Sequence, residues 1–174
     1  MINPFKKTYT LKEQNMFVFM ANIKLFEALN HKHMYLFLPY MHLRQYKKDE
    51  VVFFRGDPSQ ALYLLKKGRV SLDIDMSDSF ENLTTVGPGT ALGESCLIKE
   101  AKRLLNSFVT SDEAEFYVIP QDNIFDIFNS NPKIKTRMLE ALAEMYNSYN
   151  ASLFDAYKAS GGFFNLSRVY SKSD

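Results

Sequence analysis

Glu94 and Arg103 stand nine residues apart, in a stretch that opens Gly87-Pro88-Gly89-Thr90-Ala91-Leu92-Gly93-Glu94-Ser95. A guanidinium offers parallel N–H donors that match two oxygens of one phosphate or carboxylate. A carboxylate turns away from such an anion and accepts hydrogen bonds from hydroxyls. Gly93 lets the backbone approach a ligand closely. Other reactive residue types carry less. His31 and His33 form an H-x-H, a poor metal signal without further ligands. Cys96 is the single cysteine, so no disulfide forms within the chain. Gly93-Glu94-Ser95-Cys96-Leu97 lacks the second glycine of a nucleophile elbow. No catalytic group has a recognisable partner, so no enzyme, no metal and no cofactor is expected.

These residues need elements to hold them, and glycine placement shows where the elements change. Of seven glycines, five lie between Gly56 and Gly93, and the other two are Gly161-Gly162. Glycine favours tight turns and weakens helices. The chain therefore reads as helix, turn-rich middle, then helix. Met16, Phe19, Met20, Ile23 and Phe26 predict one helix over 11–29, and a second short one runs through His33 to Tyr40. Leu43, Gln45 and Lys47 alternate with their neighbours. Short strands follow at 51–54, 61–65, 70–75, 83–86, 105–109 and 114–119, with turns at Arg55-Gly56-Asp57-Pro58 and Lys66-Lys67-Gly68. Gln121 to Phe128 is helical. Asn131-Pro132 starts a long helix that reaches Tyr157, with Met138, Leu142, Met145, Tyr149 and Leu153 along one stripe.

The expected fold class is α+β, mainly β: an antiparallel β-roll, or jelly-roll-like barrel, with N-terminal helices and a long C-terminal helix. Expected boundaries are an N-terminal helical extension over 1–24, the roll with flanking short helices over 25–130, the long helix over 131–158 and a tail over 159–174. The 174 residues carry 21 basic and 20 acidic side chains, a net charge of +1, where a general nucleic-acid binder is usually more basic. No signal-peptide pattern and no transmembrane-length apolar run is found, so a cytoplasmic setting is expected, without membrane partners.

The order Tyr46 to Asp57 (Y-x4-V-V-F-F-R-G-D), then Gly68, then Gly93-Glu94 with Arg103 beyond, resembles the cyclic nucleotide-binding domain of the catabolite activator family. The resemblance spans Leu25 to Tyr157. It implies that a short helix between two strands cradles a cyclic phosphate, with Arg103 on the phosphate, Gly93 allowing close approach, Ser95 meeting the phosphate through its backbone or hydroxyl, and Glu94 accepting from the ribose hydroxyl. It also implies base contacts from Tyr149 and Asn150 on the long helix. Leu104 and Leu105 depart from the family, which places small or hydroxylated residues there; leucine brings bulk to the pocket wall and no hydroxyl. The resemblance further implies a non-enzymatic sensor for cyclic AMP or cyclic GMP, a homodimer through the helix Pro132 to Tyr157, and signalling to an unknown protein partner. Direct DNA binding is not expected, because only 17 residues follow Tyr157. The alternative is a roll that has lost its ligand, holds Glu94 and Arg103 as a structural ion pair, and serves as a dimeric interaction module. Phe163, Phe164, Val169 and Tyr170 in the tail are expected to dock on the domain.

Overall fold

The computed structural model describes residues 8–77 and 79–161; the expected docking of the Phe163–Tyr170 tail lies outside them. Thr10 opens helix α1 (Leu11–Ala21) with a capping box: its hydroxyl accepts from the Glu13 amide, and the Glu13 carboxylate accepts from the Thr10 amide. The apolar stripe predicts a longer helix, but the backbone turns after Ala21. Ile23, Leu25 and Phe26 are buried from turns rather than from a continuing helical face. Asn30 then caps α2 (His31–Tyr35) by accepting from the His33 amide.

Eight antiparallel strands follow: β1 (His42–Lys47), β2 (Val51–Phe53), β3 (Ala61–Lys67), β4 (Val70–Asp75), β5 (Phe80–Val86), β6 (Ala91–Leu92), β7 (Asn106–Val109) and β8 (Glu113–Pro120). They form two four-stranded sheets, ordered β1-β8-β3-β6 and β2-β7-β4-β5. Side chains alternate across a strand, and β3 shows the result. Leu62 and Leu64 face a core shared with the helices, where Phe17, Met20, Phe26 and Phe37 pack. Leu65 and Tyr63 face a second core between the sheets, with Val52, Val70, Val109 and Phe116. The roll with its N-terminal helices and long final helix is the fold class expected from sequence.

Gly68 turns β3 into β4 at φ +89°, and a Cβ there would stand 2.3 Å from the Glu113 carbonyl oxygen. Only glycine fits on both counts. Helix α3 (Gln121–Ser130) follows β8 directly, and α4 (Pro132–Ala159) runs for 28 residues. The stripe on α4 divides in two. Met138 and Leu142 are buried in this chain's own helical core, whereas Tyr149 and Leu153 are 51% and 67% exposed.

Candidate functional site

A single turn of 3-10 helix, Glu94–Leu97, joins the short strand β6 to the loop before β7. Gly93 caps it in the left-handed region, at φ +71°. A Cβ on Gly93 would lie 1.7 Å from Arg103 Nη1, so glycine is what lets the arginine occupy this place. Arg103 is 5% exposed. Its Nη1 donates to the Gly93 carbonyl at 3.1 Å and its Nη2 to the Ala61 carbonyl at 2.8 Å. The guanidinium lies over the Phe53 ring, 4.5 Å from its centroid, and 5.5 Å from that of Tyr63. Phe53 and Tyr63 come from the two different sheets, so the arginine bridges them.

Leu104 does not crowd this position. It is 63% exposed and leaves the interior to its neighbour. The backbone explains the choice. Arg103 donates its amide to the Asp57 carbonyl, and its carbonyl accepts from the Gly56 amide, which pins residue 103 against the β2–β3 loop with its side chain inward. The expected bulk at the pocket wall is therefore not contributed by the Leu104 side chain.

Glu94 and Arg103 form no salt bridge among the described residues, which removes the structural ion pair as an account of the two charges. Burial pushes the Glu94 carboxyl above its ordinary value, against weaker opposing pulls from the amides of Glu94 and Gly93 and from the Arg103 charge. Ser95 is buried, and its hydroxyl pairs with that of Ser59 at 2.8 Å. Cys96 is fully buried, and burial pushes its thiol up to about 12; it stays protonated and unreactive at neutral pH.

Helix α4 reaches the same place. Tyr146 and Tyr149 both lie within electrostatic range of Glu94, and burial raises both phenols above the ordinary range. The two residues expected on the base side, Tyr149 and Asn150, are both exposed on α4. Residues missed from sequence are Ser59, Phe53, Tyr63 and Tyr146. The alternation of the strands carrying Phe53 and Tyr63 signals that each points to one face, but not that an arginine lies there. Tyr146 reads in sequence only as a widening of the helical stripe.

The site is also tied to the helices. Gln121, the first residue of α3, donates from Nε2 to the Cys96 carbonyl at 2.7 Å. Among the described residues, no group of three or more His, Cys, Asp or Glu side chains is placed to hold a metal ion, and no helix is long and apolar enough to cross a membrane.

Within an antiparallel roll, one turn thus brings together a left-handed glycine, an inward arginine and a half-buried carboxylate. The chain belongs to the cyclic nucleotide-binding domain family, whose sequence model matches residues 43–131. It is 27% identical over 125 residues to the Cyclic AMP receptor protein of Thermus thermophilus, covering 71% of this chain and 57% of that one. It is 27% identical over 111 residues to a CRP-like cAMP-activated global transcriptional regulator of Mycobacterium tuberculosis, covering 63% of this chain and 49% of that one. The chain thus spans about half the length of these relatives. In fold it is similar to the crystal structure of a cyclic nucleotide-binding domain from Methylobacillus flagellatus, with a TM-score of 0.71 and 20% identity over 86% of this chain and 84% of that one.

Proposed function

We propose that the chain is a non-enzymatic cyclic nucleotide sensor. Arg103 binds the cyclic phosphate, together with the Gly93–Ser95 backbone and the Ser95 hydroxyl. Glu94 accepts from the ribose 2′-hydroxyl, and Tyr149 and Asn150 face the base. The observation that carries this reading is the inward Arg103 guanidinium beside the Gly93-opened turn, with the half-buried Glu94 carboxylate on the same turn and no salt bridge between the two among the described residues. Both curated relatives above are named for cyclic AMP, which favours it over cyclic GMP as the first ligand to test. Binding is relayed through Gln121 to α3 and on to α4, whose exposed distal stripe pairs with a second copy and presents the signal to a protein partner in the cytoplasm.

A second reading is favoured by one observation. Arg103 is satisfied by two backbone carbonyls and two rings, so it also serves as a clamp between the sheets. In that reading the roll is a dimeric interaction module with no nucleotide. Thermal melting separates the two. A ligand at 100 times its dissociation constant stabilises its protein by about 2.7 kcal/mol. Millimolar cyclic AMP or cyclic GMP is expected to raise the melting temperature of the native chain by several degrees and that of Arg103→Ala much less. An unchanged melting temperature with both nucleotides supports the module instead.

A further inference from the structure

A cleft of about 300 Å³ lies away from Arg103, between the end of the 3-10 turn and the two C-terminal helices. Leu97, Phe125 and Phe128 give it an apolar floor, and Lys99, Asn129 and Lys135 stand around it. None of Phe125, Phe128, Asn129, Lys99 or Lys135 takes part in the nucleotide site described above. Its size falls at the lower end of small-molecule sites, which run from about 300 to 1,000 Å³.

Two lysines beside one apolar floor suit an anion with an apolar body. Among the described residues, neither Lys99 nor Lys135 has an ion-pair partner, unlike Lys24, Lys66 and Lys67, each of which is matched by a glutamate. Helix α4 adds to the positive potential: its first turn has no acidic residue, where a carboxylate would usually offset the helix dipole. Inorganic anions find charge here but no use for the floor. Neutral apolar molecules find the floor but leave both ammoniums unmatched.

We propose that this cleft is a second ligand site, for a small amphipathic carboxylate. The apolar body lies against Leu97, Phe125 and Phe128, and the carboxylate sits between Lys99 and Lys135, with the Asn129 amide as a further donor. Leu97 belongs to the turn that carries Glu94, and both phenylalanines belong to α3. The occupant therefore touches both the turn and α3, which Gln121 already joins by a hydrogen bond.

The test uses the full chain without nucleotide, so it is independent of the sensor reading. Octanoate is the probe, with octanamide and inorganic phosphate as the uncharged and non-apolar counterparts. Amide NMR shifts are followed at Leu97, Phe125 and Phe128. Saturable shifts with millimolar octanoate are expected, weak or absent shifts with the other two, and a loss of affinity of about tenfold or more in Lys99→Gln/Lys135→Gln. Both lysines are exposed, so this variant keeps its core, and its unperturbed spectrum without ligand checks that it is folded. The proposal is overturned if octanoate fails to saturate, if octanamide or phosphate shifts the same amides equally, or if the double variant binds octanoate as tightly as the native chain.

Discussion

At the scale of single residues, burial sets the charged groups of the site against their surroundings. Glu94 is the clearest. Its carboxyl is raised by burial, so the folded chain holds that proton more tightly than the unfolded chain does. Stability from this group is present below the ordinary carboxylate range and is lost as pH rises through the raised value. Above that raised value the ionised Glu94 is thus a liability for folding. Glu94→Gln is expected to raise the melting temperature at pH 7, to lose that gain near pH 4, and to weaken cyclic nucleotide binding. An equal melting temperature at both pH values would mean that Glu94 is not held in a desolvating site. The identities of Glu94 and Arg103 were legible as chemistry in the sequence. Which of Arg103 and Leu104 turns inward was not, because the backbone bonds to Gly56 and Asp57 decide it, and these come from a loop nearly fifty residues earlier.

Among the elements, the short turn at Glu94–Leu97 gains its position from its neighbours. Gln121 bonds a carbonyl of the fully buried Cys96 and ties the turn to the start of α3. Removing that donor leaves a buried acceptor unmet, which costs about 1–3 kcal/mol. Gln121→Ala is expected to lower unfolding free energy by that amount in urea melts and to change nucleotide affinity as well; an unaltered midpoint would show the bond to be dispensable. Most strands were legible from alternation and turn signals. Strand β6 was not, since two residues carry no period. The end of α1 was missed for a different reason: Ile23 and Phe26 keep helical spacing, yet they reach the core from turns.

For the whole molecule, the division of the α4 stripe is the decisive feature. Its proximal half packs on the roll and its distal half is left uncovered, with Tyr149, Leu153 and Phe154 all exposed. Two-fold pairing of such helices is a common way to cover them. Leu142 belongs to the chain's own core, so a charge there would unfold the domain rather than test assembly. Leu153→Glu is the informative change: sedimentation is expected to show a dimer for the native chain and a monomer for the variant, both folded. A variant that sediments as the native chain does would remove the distal stripe as the interface. The spectrum of elements was readable in the sequence at this scale, but not which half of the stripe is spoken for, because that depends on how far the roll extends along the helix.

The central claim is that Arg103 is an anion receptor and not solely a clamp. Calorimetric titration of cyclic AMP into the native chain and into Arg103→Lys tests it most directly, because lysine keeps the charge and loses the paired donors. Saturable binding by the native chain, weakened about tenfold or more in Arg103→Lys, is the result expected. Binding of equal strength by both, or no binding by the native chain at millimolar nucleotide, would contradict it.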